Sequence, residues 1–462
     1  MTLSSIDYSP LITSLEWFFI GYFFILHGGH TLLAAASVNN MRLRMESVAI
    51  KMLPRLSAGY EIPVSILVPV SEATPELVQF IRTLFEFRYP QFEIIVINDT
   101  GEDAISAELR SAFDLVIFPE AYWRQVPSRT VHHVYRSPQL PGLRVIEKNP
   151  GGPGDALNAG VNAARYPLMC IVRPGCVLNR DSLRRLVPDF LDDASTVAAG
   201  AVQRVVNGSF IVNGFLERCR LAGNPLVWMQ AAARLRRDLC ARYGWAGTNT
   251  VLAIADGFCA FRKEAVVQAG GFARDAINPV VELVGRLHRL SATADKRYRI
   301  ALLPAPVLWQ LAPTTPGAVC SSAANEQYGL VRALKPGRSL PARLNSGIAG
   351  HLASPFVVLT EIAGPLIESL AWLFFLTGFG FGIIPAQHLI AFAVCAAGFG
   401  ILVSWLAILI DALAFRSYEH VRSYVLLLLW AIFENAGFRQ VIAVCKLLGF
   451  RFHPAPKTAR NH

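Results

Sequence analysis

Residues 64–99 read VSILVPVSEATPELVQFIRTLFEFRYPQFEIIVIND. Two short apolar runs, VSILVPV (64–70) and EIIVIND (93–99), bracket ELVQFIRTLFEF (76–87), whose apolar positions recur at helical spacing. Strand, helix and strand in this order predict a parallel sheet. The pattern returns at LMCIVRP (168–174) and TVAAGAV (196–202), with DSLRRLVPDFL (181–191) as a helix between them. Residues 60–345 therefore read as an α/β domain. Ligands of such sheets bind beyond the carboxyl ends of the strands. Asp99 and Arg173 stand at such ends.

Working outward, both flanks turn apolar. Residues 14–37, beginning LEWFFIGYFFIL, exceed the roughly 20 residues that span a bilayer. The run is too long for a signal-peptide core, and Asp7 and Glu16 precede it in place of a basic leader. Arg42, Arg44, Lys51 and Arg55 follow it, so the positive-inside rule predicts an outside N-terminus and a cytoplasmic α/β domain. His27 and His30 sit three apart on this helix, in a glycine-rich setting that suits helix packing. The last third carries runs near 354–380, 389–413 and 423–447, each long enough to span, the last interrupted by Glu434, Asn435 and Arg439. Glu361 and Glu368 are seven apart and share one helix face. Carboxylates inside a membrane are costly, so this face should meet protein or a polar cavity. The expected division is a membrane helix in 1–40, a cytoplasmic domain in 41–345, and about three membrane or interfacial helices in 346–462. The basic stretch 224–246 reads equally as a membrane-surface helix or a solvated one.

Composition agrees. The 462 residues are 53% hydrophobic and 16% charged, with mean hydropathy +0.39. Soluble domains carry about 25% charged residues. The net charge of +10 is explained by basic residues flanking membrane segments. No nucleic-acid-binding motif accompanies it, and no nucleic acid partner is expected. The eight cysteines form no Cys-x-x-Cys pair and no zinc spacing, and they read as small buried hydrophobes in a reducing compartment.

Several stretches carry a resemblance: VSILVPV, EIIVINDTGED, EKNPGGPGDALNAGVNAARYP (147–167), GFCAFRKEAVVQAGGF (257–272), VELVGRLHR (281–289), and GPLIESL and ENAGFRQ in the membrane region. Together they resemble family 2 glycosyltransferases of the membrane-integral, processive type, which includes cellulose, hyaluronan and poly-N-acetylglucosamine synthases. The resemblance covers nearly the whole chain. It implies a GT-A domain, a nucleotide-sugar donor such as a UDP-sugar, a Mg or Mn ion held by an Asp-x-Asp motif, and a general base in a Glu-Asp pair. A Gln-x-x-Arg-Trp motif on an interface helix would help hold acceptor and donor. It also implies a bacterial-type inner membrane location and a role in polysaccharide synthesis.

The sequence departs from that pattern at its chemical positions. Arg173, Pro174, Gly175 and Cys176 stand in place of Asp-x-Asp, so both metal carboxylates are replaced and no metal cofactor is expected. Pro279 and Val280 replace the Glu-Asp pair, and neither can accept a proton. Ser322, Asn325 and Glu326 fall where the Gln, Arg and Trp would stand. Pro153 replaces the lysine of the glycine-rich element. Asp99, Asp155 and Glu72 remain at or near nucleotide-contacting positions, and the structural alternative for each is a helix cap. Arg173 places a guanidinium where a cation would lie, able to grip a diphosphate without metal or to pair with Asp99, Asp155 or solvent. Losing a general base costs ~10²–10⁴ in rate. Losing the metal removes several kcal/mol more. Glu282, three residues past Pro279, reads as structural.

Three functions follow as expectations. The favoured one is a non-catalytic partner of an active polysaccharide synthase. The second is an active, metal-independent glycosyltransferase using Arg173. The third is a nucleotide-sensing regulatory subunit.

Overall fold

The computed structural model describes residues 9–55, 61–71, 76–101, 103–118, 123–293, 298–333 and 352–452. Glu72 and the 345/346 boundary lie outside the described residues.

The core is one twelve-stranded sheet. Its strands in chain order are β1 (Val64–Val70), β2 (Phe92–Asn98), β3 (Val116–Ile117), β4 (Val131–Arg136), β5 (Leu143–Lys148), β6 (Leu168–Val172), β7 (Val177–Leu178), β8 (Thr196–Val205), β9 (Phe210–Val212), β10 (Phe215–Arg218), β11 (Phe258–Arg262) and β12 (Arg299–Gln310). In space they run β3-β4-β5-β2-β1-β6-β11-β8-β12-β7-β10-β9. The stretch β5-β2-β1-β6 is parallel, with Val64 opposite Phe92 and Leu168. Beyond β6 the purely parallel expectation fails. β11 pairs antiparallel with both β6 and β8, and β12 returns parallel to β8. The α/β expectation rested on apolar runs, and such runs suit any strand buried on both faces, whatever its direction.

Alternation along β1 divides the core. Ile66 and Val68 face one layer with Ile81 and Leu84 of the helix Leu77–Phe85. Leu67 faces the other, with Leu157 of the helix Pro153–Ala163. This helix lies close to the sheet because Gly160 has no side chain. A Cβ there would stand 3.1 Å from both Ile97 and Leu67. The helix expected over 181–191 is two helices, Ser182–Leu186 and Pro188–Asp192. Pro188 has no N–H and its ring crowds the preceding turn, so the first helix stops before it.

Among the described residues, three helical stretches are long and apolar enough to cross a membrane: Pro10–Leu43, Ala386–Phe415 and Val421–Gly449. A fourth is a pair, Ser354–Ile362 and Gly364–Gly380, bent by 47°. The bend falls at Gly364-Pro365, where proline withdraws a helix donor. The N-terminal helix packs Phe19, Tyr22, Phe23 and Leu26 against Ala371, Phe375 and Phe392, so the two ends of the chain share a core. Trp17, Phe18, Leu32 and Leu373 are exposed, as a lipid-facing surface requires.

The basic stretch is neither solvated nor spread on an open membrane surface. It forms the helix Pro225–Leu235 and a wide turn, Arg236–Arg242. Both are clasped between the sheet and the membrane helices. Val227, Trp228 and Ala231 share one core with Val403, Ala407 and Leu427. Ser37 donates to the Leu239 carbonyl. Its apolar face was visible in the sequence, but the third partner that covers it was not. Two cysteines also depart from expectation. Cys320 and Cys445 are joined by a disulfide between the helix Pro316–Ala333 and the last membrane helix, whereas the other six are buried and free.

Candidate functional site

The carboxyl ends of β1, β2, β5 and β6 converge on one edge, as sequence reasoning requires. Asp99 follows β2 directly. Its Oδ1 accepts from Gly151 N at 2.9 Å, and its Oδ2 from Gly152 N at 2.8 Å. Lys148, the last residue of β5, donates to the same carboxylate. On its other side Lys148 Nζ meets Asp155 Oδ2 at 2.8 Å. Asp155 also accepts from Arg129 N at 3.0 Å and pairs with Arg274 Nε at 2.7 Å. The Asp99 side chain is 4% exposed, and those of Lys148 and Asp155 are fully buried. The structure thus brings the two predicted carboxylates together on one lysine, and their oxygens turn to internal donors.

The glycine-rich element makes this possible. Gly152 has φ +90°, a left-handed conformation that glycine adopts without strain. It aims two successive backbone N–H groups at Asp99. Pro153 then starts the helix, where its missing N–H has no consequence.

Arg173 follows β6. It pairs with Asp256 Oδ2 at 3.2 Å, not with Asp99 or Asp155, and both side chains are about one-third exposed. Gly175, with φ +83°, faces open space. Cys176 is buried, and its Sγ accepts from Gln310 Nε2 at 3.1 Å. Burial pushes its thiol up to about 11, so the group stays neutral near pH 7. A guanidinium, a proline, a glycine and a neutral thiol do not fit a divalent cation, which needs oxygen or thiolate ligands. No three His, Cys, Asp or Glu side chains among the described residues gather within reach of one metal ion.

Pro279 and Val280 open the helix Pro279–Thr293. Asn278 accepts from Val281 N at 3.2 Å, and Val280 is wholly buried. Glu282 pairs with Arg286 at 2.7 Å, and Arg286 also binds the carbonyls of Ala269 and Gly271. Its role is to hold the glycine turn at 270–271. Ser322, Asn325 and Glu326 lie on the helix Pro316–Ala333, away from β6 and beside the membrane helices. Glu326 pairs with Arg237, whose charge draws its carboxyl down to about 2. Asn325 is exposed.

Sequence reasoning missed Lys148 and Asp256. Lys148 had a signal: a lysine ends a strand whose neighbours are buried, between two carboxylate-bearing loops. Asp256 had none, because its partner is 83 residues earlier in the chain and met only through the β6–β11 pairing. Beside the knot lies an open, polar cleft of about 610 Å³, lined by Arg124, Arg129, Arg274 and Asn149 among others.

Residues 65–266 match the model of glycosyl transferase family 2. No curated protein matches the chain. Among solved structures, the mannosyltransferase PcManGT from Pyrobaculum calidifontis, in complex with GDP-Man and Mn2+, is similar. The match has 15% identity and a TM-score of 0.49, and covers 91% of this chain and 99% of that one. Residues 65–266 thus resemble glycosyl transferase family 2, and this α/β segment is set among helices long and apolar enough to cross a membrane.

Proposed function

We propose that this family 2 domain is a catalytically inactive one, and that the chain assists an active synthase in making a membrane-exported polysaccharide. The observation that carries the reading is the Arg173–Asp256 ion pair at the end of β6. By the resemblance a donor's diphosphate and metal would be held at this strand end, and the ion pair there supports the loss of that role. Asp99 and Asp155 support it too, since Lys148 and backbone donors engage both carboxylates. At the general-base position a buried Val280 can move no proton. The remaining fold is well packed, as a binding scaffold needs. The proposed setting is an inner membrane with the domain on the cytoplasmic side.

Calorimetry on the detergent-purified chain tests this reading. UDP-sugars and GDP-sugars should give no turnover, with or without magnesium or manganese, and UDP serves as the binding probe. Affinity purification from the native host should retain a synthase. Steady turnover of any of these donors sinks the proposal.

One observation favours a second reading, an active metal-independent transferase. Arg173 is partly exposed beside the open space at Gly175. A diphosphate able to displace Asp256 would find a guanidinium fork there. On this reading turnover persists in chelator and is lost in Arg173→Ala. A nucleotide-sensing role requires binding without turnover, and the same titration detects it.

A further inference from the structure

Where the clasped basic segment meets the membrane helices, the chain forms a partly open cavity of about 230 Å³. Its wall combines Tyr22 and His30 of the N-terminal helix, Arg234 of the basic helix, Ser322 of Pro316–Ala333, Pro365 at the bend and Lys446 of the last span. Five cations line it against four carboxylates. Arg236 is matched by Glu434 at 2.8 Å, and Arg439 by Glu368 at 3.1 Å. Arg237 is matched by Glu326 at 2.5 Å, and Lys446 acts on Glu361. Arg234 is the cation left over. Its Nη1 is shielded from solvent and has no hydrogen-bond partner among the described residues. Burial, and then repulsion from Arg237, disfavours its charge. A partly buried guanidinium with a shielded, unpaired nitrogen is costly unless an anion completes it.

We propose that this cavity holds the phosphate of a membrane-lipid headgroup, with Arg234 as its main counter-ion. The guanidinium fork matches phosphate oxygens in pairs. The cavity's volume suits a phosphate headgroup and lies below the roughly 300–1,000 Å³ of pockets that hold drug-sized ligands. Position selects a lipid over a soluble anion. The surrounding helices are those long and apolar enough to cross a bilayer, and Leu366 and Leu370 on the Gly364–Gly380 helix are exposed. Basic pockets between membrane helices take anionic headgroups while the acyl chains stay in hydrocarbon. The site is independent of whether the glycosyltransferase domain turns over a donor.

The test uses the full chain in detergent, titrated with short-chain phosphatidic acid. Diacylglycerol of the same chain length is the phosphate-free control, and inorganic phosphate is the soluble arm. Phosphatidic acid should bind and diacylglycerol should not. Arg234→Gln should weaken binding tenfold or more, with Arg234→Lys losing less. Glu326→Gln frees Arg237 and should tighten binding, which a partly unfolded variant would not do. Equal affinity for the two lipids, or an unchanged affinity in Arg234→Gln, overturns the proposal. Complete displacement by equimolar inorganic phosphate assigns the site to a soluble anion and overturns the lipid assignment.

Discussion

Lys148 and Arg173 are both cations at strand ends, yet their surroundings give them opposite weights. Lys148 is sealed between Asp99 and Asp155, and all three side chains are nearly or fully buried. Removing its charge leaves two buried carboxylates with one fewer counter-ion. Breaking a buried pair in this way costs about 3–5 kcal/mol. Lys148→Met should therefore lower unfolding stability by about that amount, read by denaturant titration in detergent. Arg173 and Asp256 are each about one-third open to solvent. Exposed pairs contribute about 0–1 kcal/mol, so Arg173→Ala should fall within that range. Equal losses in the two variants would contradict this contrast. Glu326 adds a pH dependence. Arg237 holds its folded carboxyl at about 2, below the ordinary value of 4.5. A depressed carboxylate contributes stability above its unfolded pKa and loses it as pH falls through the folded one. The Glu326–Arg237 contact should thus persist at pH 5 and fade between about 4.5 and 2. Hydrogen exchange along Pro316–Ala333 reads the change. The effect is small, because the Glu326 side chain is half exposed and solvent screens it.

At the scale of elements, the helix Pro153–Ala163 sets the site, because its start fixes the loop that encloses Asp99. Gly154 there lies against a neighbouring loop, and a Cβ would stand 2.1 Å from the Ala273 carbonyl oxygen. Neither side is a flexible side-chain end, so backbone must move. Gly154→Ala should cost about 1–3 kcal/mol through overpacking, measured as a lower melting temperature. The helix Leu77–Phe85 was legible in the sequence because its apolar positions recur at helical spacing. So were β1, β2, β6 and β8, whose side chains form continuous apolar runs. The break at Pro188 was written in the sequence as well, in one residue that a periodicity reading passed over. Asp256 against Arg173 was not legible, because the two are brought together only by strand pairing across the sheet, which no local pattern records. Lys148 carried a local signal at the end of its strand, but its pairing with Asp99 depends on the β2–β5 contact. The clasped segment 225–242 failed for a related reason: amphipathic spacing reveals a buried face but not what buries it.

At the scale of the whole molecule, the sheet and the membrane helices form one packed body joined by buried charge. Arg204, on β8, meets Asp411 at 2.9 Å near the end of a membrane-crossing helix, and neither side chain is exposed. Asp411 also accepts from Ser417 Oγ at 2.7 Å and Tyr424 Oη at 3.1 Å, which ties down the connection to the next helix. A second link, Arg236 to Ser404, Glu434 and Asn435, lies farther along the same helix pair. These links make the domain's orientation part of the fold and not the outcome of a loose tether. Asp411→Ala removes the shared acceptor of three donors and leaves Arg204 buried without a counter-ion, at a cost of about 3–5 kcal/mol. The loss should be local before it is global, because opening begins where the fewest contacts hold. Hydrogen exchange should rise first in β8 and in residues 416–424, while β1, β2 and the Asp99–Lys148–Asp155 knot stay protected. If exchange instead rose uniformly over both halves, the two would unfold as a single cooperative unit, and Arg204–Asp411 would be one stabilising contact among many and not the hinge pin between them.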